Sequence, residues 1–199
     1  MSDILRVVNH PLFNIVFFLI GKYLTKDLAL DDPSVVGLVR NIYLVAQALI
    51  LGLNYWLLAM VQKKNDQTTL RFVEPGPQGW DGSFGEDRLV NTTCMDYDVA
   101  QIKKDINKQF TGIAIIAFVH LQFHYIQPLL LQSIMGFKTF LVSKEARIHL
   151  WKESTSSGEL RRPFRIESSF GMPVPENKQP RTDRASIKKV ERATKVALD

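Results

Sequence analysis

The stretch GIAIIAFVHLQFHYIQPLLLQSIMGF, Gly112 to Phe137, has no Asp, Glu, Lys or Arg in twenty-six residues, yet carries two histidines, three glutamines and one proline. An uncharged run of that length reads as membrane-embedded, because about 20 apolar residues in a helix match the ~30 Å hydrocarbon core of a bilayer. Its polar side chains are costly against lipid, so they are expected to face other helices or a watery cavity. Pro128 lacks a backbone donor and should kink or end the helix. That leaves Leu129–Val142 as a further apolar piece of fourteen residues, about 21 Å long if helical.

Two more apolar segments lie upstream. Asp31-Asp32-Pro33-Ser34 is a helix-start signal, and Ile42–Val61 then gives twenty uncharged residues, ending in Tyr55-Trp56 and followed by Lys63-Lys64. Aromatic residues and lysines at one end mark that end as cytosolic. Residues 4–24 are shorter in apolar content, with Arg6 and Lys22 placed to snorkel. They either span or lie in the interface, and Leu12–Ile20 is followed by no small-residue cleavage site.

The remainder is polar. Residues 62–109 read as a strand at Leu70–Val73, a turn at Glu74–Pro77, a Gly-rich loop to Gly85 and a second strand at Arg88–Cys94. A polar helix then runs from Asp96 through Lys103, Lys104 and Lys108. The Gly-rich loop lacks the Lys-Ser/Thr ending of a phosphate cradle. The tail carries a Pro/Gly-rich linker at 163–181 and a short amphipathic helix within Thr182–Leu198. The expected organisation is 1–61, two membrane segments; 62–109, a loop; 110–142, a kinked membrane hairpin; 143–199, a tail. The expected fold class is an all-α membrane protein with three to four short transmembrane helices, a polar cytosolic loop and a basic cytosolic tail.

Charge orients the chain. The net charge is +5, and residues 143–199 hold thirteen basic against eight acidic side chains, which accounts for all of it. Both the lysine-flanked loop and the basic tail are assigned to the cytosol, provided that residues 129–142 return across the membrane. The rival has three spans with the loop lumenal, and predicts a glycan on the Asn91-Thr92-Thr93 sequon. The single cysteine, Cys94, excludes an internal disulfide.

Arg40, Gln47 and Asn54 recur every seven residues, and His120, His124 and Gln127 fall at i, i+4 and i+7, each set along one helix face. These six are the candidate groove or client-binding residues. Mutual hydrogen bonding between helices is the structural alternative. The two histidines have metal-pair spacing but no third ligand nearby, so no metal or other cofactor is expected. No nucleophile–base pair or carboxylate dyad stands out, so the chain is not expected to be an enzyme. In the tail Arg161, Arg162, Arg165, Lys188, Lys189 and Arg192 are candidate contacts to ribosomal RNA or lipid headgroups.

Several stretches together carry a resemblance: KNDQTTLRFVEPG at 64–76, TTCMDYD at 92–98, FTGIAIIAFVHL at 110–121, QPLLLQSI at 127–134, GELRRPFR at 158–165 and TDRASIKKVER at 182–192. The chain resembles the fungal family of endoplasmic-reticulum membrane proteins called inorganic phosphate transport proteins, also known as component three of the SRP-independent targeting (SND) pathway. The resemblance implies residence in the endoplasmic-reticulum membrane. It also implies delivery and insertion of nascent membrane proteins in company with the Sec translocon, ribosomes and other components of that pathway. The older family name implies a link to phosphate transport or to maturation of phosphate transporters. It supplies no catalytic residues. The mechanism expected here is an insertase-like one, in which a hydrated groove passes the polar flank of a client while its apolar helix moves into lipid.

Overall fold

The computed structural model describes residues 11–24, 32–76, 85–156, 158–166 and 174–196. In chain order the elements are α1 (Pro11–Leu24), α2 (Pro33–Lys64), β1 (Thr69–Glu74), β2 (Arg88–Thr93), α3 (Cys94–Phe123), α4 (Gln127–Val142), α5 (Lys144–His149) and α6 (Arg184–Val196). They form two compact units: Met1–Lys63 with Val99–Lys152, and Lys64–Asp98 with Glu153–Asp199.

The expected set of three to four transmembrane helices is overturned: among the described residues one helix, α2, is long and apolar enough to cross a membrane. The reason is helix length. At about 1.5 Å per residue, α2 with 32 residues reaches about 48 Å, whereas α1 with 14 and α4 with 16 reach only about 21 and 24 Å. α3 has 30 residues, but its first half carries Lys103, Lys104, Asp105 and Lys108. The apolar part from Phe110 to its end is again about 21 Å. The all-α description is corrected as well, since β1 and β2 form a two-stranded antiparallel sheet.

In the first unit α2 starts where Asp32 caps it: its Oδ1 accepts the Ser34 N–H at 2.9 Å, and Pro33 needs no partner at the first helical position. Its buried residues Val39, Tyr43, Ala46, Gln47, Ile50, Asn54, Leu57 and Val61 follow spacings of three and four, one stripe of a helix. The other faces stay apolar too, with Leu38, Ile42, Leu44, Val45 and Leu49 exposed. Only 28% of the most apolar window of α2 is buried, so its outward surface is greasy. Val39 and Tyr43 cluster with Ile126 and Leu129, flanked by Ile116 and Leu130. α3 and α4 are joined by residues 124–126, where His124 adopts φ 59°. α4 comes close to α2 at Gly136, where an added Cβ would lie 2.6 Å from Ile50 Cδ1.

In the second unit Thr69 pairs with Thr93 and Glu74 with Arg88 at the two ends of the sheet. Tail residue Arg181 extends it, exchanging backbone hydrogen bonds of 2.8 and 3.0 Å with Val73. α6 lies against both strands, burying Val190 and pairing Glu191 with Arg71 at 2.5 Å. Phe72, Tyr97 and Phe164 stack edge to face at 5.8 and 5.4 Å, one from the sheet, one from the start of α3 and one from the tail. The Tyr97 hydroxyl also accepts the Phe164 N–H at 2.8 Å.

Beside them Arg162 forks onto Asp98, donating from Nε to Oδ1 and from Nη2 to Oδ2, both at 2.6 Å. Both side chains are almost fully buried, at 10% and 2% exposure. Burial pushes the nearby Cys94 thiol above its ordinary pKa, while Arg162 pulls the other way. Little thiolate is therefore present near neutral pH. Iodoacetamide is expected to modify native Cys94 at least about tenfold more slowly than the denatured chain at pH 7.5, read by mass spectrometry.

Candidate functional site

Arg40 stands on α2 two turns from its start and His120 near the end of α3. Arg40 Nε–H donates to His120 Nε2 at 2.9 Å. A guanidinium only donates, so Nε2 is the acceptor nitrogen and the proton sits on Nδ1. That Nδ1–H faces the Tyr125 carbonyl at 2.9 Å. The imidazole thus holds the arginine and is itself held by the chain turn. His120 is buried, at 7% exposure.

Gln47 and Asn54 face α3 at a different level. Gln109 Nε2 donates to the Gln47 backbone oxygen at 3.3 Å and to its Oε1 at 3.2 Å. Asn54 Nδ2 donates to Gln109 Oε1 at 3.2 Å and to the Ile50 carbonyl at 3.0 Å. Gln47 Nε2 is buried without a hydrogen-bond partner among the described residues. A further tie, Tyr43 Oη to Gln132 Oε1 at 2.8 Å, links α2 to α4.

The six groove candidates therefore fall into three places. Gln47 and Asn54 join Gln109 in a buried amide cluster. Arg40 and His120 form a pair eleven residues along α3, about 16 Å away by helical rise. His124 and Gln127 lie beyond the end of α3, so the i, i+4 line from His120 is broken by the turn and the two imidazoles do not share a helix face. His124 and Gln127 instead border a cavity of about 680 Å³. Its walls are mostly apolar, from Phe18, Ile116, Ile126, Leu131 and Met135, with Gln132 adding a third polar group.

Gln109, Gln132 and Tyr43 escaped the sequence reading. Gln109 had a signal: eleven residues before His120 is three helical turns, on the same face. Gln132 sat in plain view as one glutamine among three, and Tyr43 looked like an ordinary apolar position. Arg6 and the side chain of Lys22 lie outside the described residues.

Of the tail candidates, Arg161, Lys188, Lys189 and Arg192 are exposed. Arg165 pairs with Glu176 at the surface. Arg162 is committed to Asp98 inside the second unit. Residues Lys188, Lys189 and Arg192 stand on the side of α6 away from buried Val190.

The sequence profile of the phosphate transport (Pho88) family matches residues 8–197. Similar proteins include SRP-independent targeting protein 3 of Saccharomyces cerevisiae, 34% identical over 191 residues that cover 94% of this chain and 96% of that one. An SRP-independent targeting protein 3 homolog of Schizosaccharomyces pombe is 30% identical over 173 residues, 84% of this chain and 86% of its own. An uncharacterized protein of the same yeast is 32% identical over 157 residues, 79% and 76% of the two chains. No solved structure matches.

Proposed function

This chain belongs to the phosphate transport (Pho88) family, and from that premise we propose that it is a non-enzymatic membrane factor for SRP-independent delivery of membrane proteins at the endoplasmic reticulum. α2 crosses the bilayer. The mixed cavity at the α3–α4 turn receives the client. An apolar client segment rests against Ile116, Leu131 and Met135 while its polar flank exchanges water for His124, Gln127 and Gln132. The step needs no nucleotide, because burial of the client's apolar surface in lipid drives it at about 25 cal/mol per Å².

The observation that carries this reading is the likeness, over 94% of the chain, to a protein named for targeting. The cavity supplies a place for the client: an apolar pocket with convergent polar groups on a helical unit whose outer faces are apolar.

The second unit supports one orientation. Residues 64–98 and 153–199 fold together through Asp98–Arg162 and Val73–Arg181, so loop and tail lie on the same side of the membrane. Lys63-Lys64 and the basic tail support the cytosol as that side. The exposed bases Arg161, Lys188, Lys189 and Arg192 then face ribosomal RNA or headgroups, beside the Sec translocon. Asn91 is exposed on β2, yet in this orientation it meets no glycosyltransferase. Endoglycosidase treatment of the chain from membranes is expected to leave its gel mobility unchanged. A shift would put the unit in the lumen.

The test of function uses microsomes depleted of this protein and a membrane-protein reporter made without the signal recognition particle. Adding back the full chain should restore protease-protected insertion. No restoration, with wild-type levels of the chain present, would overturn the reading. The family name favours a second reading, phosphate carriage or maturation of a phosphate carrier. Liposomes holding only this protein should then take up labelled phosphate, and Arg40→Ala should abolish it.

A further inference from the structure

Arg40 is exposed on α2 at the edge of its buried stripe, one turn before the exposed Leu44. Its Nε–H is used by His120, and no carboxylate partners it among the described residues. A permanent cation on a greasy helix face needs an anion or water close by. The His120–Tyr125 support fixes the plane of the guanidinium, and both terminal amino groups remain for a bidentate oxyanion. That geometry suits phosphate better than an ammonium would.

The same support borders the cavity. Tyr125, whose carbonyl holds His120, lines it, and so does Ile116, one turn before His120 on α3. Ile126 lines it too and packs on Val39, the residue before Arg40. The volume of about 680 Å³ lies within the ~300–1,000 Å³ of small-molecule sites. A charged fork whose support runs to Tyr125, itself a lining residue of the apolar pocket, matches a ligand with a phosphate at one end and hydrocarbon at the other.

We propose that Arg40 and this cavity form a phospholipid site, with the headgroup phosphate on the guanidinium and an acyl chain against Phe18, Leu131 and Met135. The lipid occupies the cavity when no client does, and an incoming apolar segment displaces it. This rests on the membrane placement proposed above.

The test is native mass spectrometry of the full chain in detergent, with three probes: a phosphatidic acid, the matching diacylglycerol, and inorganic phosphate. Phosphatidic acid should bind one per chain, and diacylglycerol about tenfold more weakly. Arg40→Gln should lose about tenfold in occupancy. Met135→Trp, which fills the pocket and leaves the fork intact, should lose a similar amount. Millimolar inorganic phosphate should not compete. Arg40→Lys keeps the charge without the fork and should also bind weakly, so it decides the matter if Arg40→Gln does not fold.

Wild-type binding by both arginine variants, or equal binding of diacylglycerol, would overturn the proposal. So would full competition by inorganic phosphate with Met135→Trp silent, which would assign Arg40 to a soluble anion. No client is present in this measurement, so its failure leaves the reporter result standing, and failure of the reporter leaves the lipid result standing.

Discussion

Replacing Arg162 with Met is expected to destabilise the loop-and-tail unit by about 3–5 kcal/mol, because it removes the cation from a hydrogen-bonded ion pair whose carboxylate stays buried. Asp98 is 2% exposed on its side chain, and the fork supplies a partner for each oxygen. The residue after Arg162 leads into Phe164, whose ring packs on Tyr97 and whose N–H bonds to its hydroxyl. Losing the fork should therefore loosen the tail from the sheet as well. Hydrogen exchange should show faster exchange at Phe164 and in β1, while the amides of α2 stay protected. The double variant Asp98→Leu with Arg162→Met removes both charges and is expected to recover most of the loss. If the single variant melted like the wild type, the pair would be no more than a surface contact.

Gln109→Leu should be the costliest single change in the amide cluster, at about 2–6 kcal/mol, because it orphans two buried groups at about 1–3 kcal/mol each. Those groups are the second N–H of Asn54 Nδ2 and the side-chain oxygen of Gln47. Gln47→Leu is expected to cost far less. Its Nε2 has no partner to lose among the described residues, and Gln109 Nε2 still reaches the backbone oxygen of residue 47. Thermal melts of the two variants in the same detergent separate these cases. Equal costs would mean that the hydrogen bonds are not what holds α2 to α3 here.

The local features were readable in the sequence. Acids and proline at 31–33 marked the start of α2, and strand-like runs near 70 and 90 became β1 and β2. The amphipathic run after Thr182 became α6. Each depends on neighbours a few residues apart, where backbone sterics and side-chain period decide the outcome. Pro128 was a sound signal of a break, yet α3 ends at Phe123, four residues earlier than α4 begins, and Pro128 sits in the first turn of α4. Proline tolerates that position because no partner is required of its nitrogen there.

What was not readable is long-range. Nothing in GELRRPFR says which of its three arginines will be buried, because the answer is a carboxylate sixty-four positions earlier. The polar stripes were visible as spacing, but spacing cannot say at which level each residue meets the next helix. Arg40 meets His120 while Asn54 meets Gln109, so the stripe on α2 meets α3 at separate levels. The count of membrane helices failed for a related reason. Three to four crossings require the shorter apolar runs to span by themselves, whereas the helices holding three of the runs are too short or too charged.

Site-specific photocrosslinking from a probe at position 135 to a ribosome-stalled nascent membrane protein tests the cavity directly. The full chain should crosslink to the client's apolar segment from position 135, lining the cavity, and not from position 57, which is 1% exposed. Silence at position 135 while the client still inserts, or equal crosslinking from both positions, would contradict a client path through the α3–α4 turn.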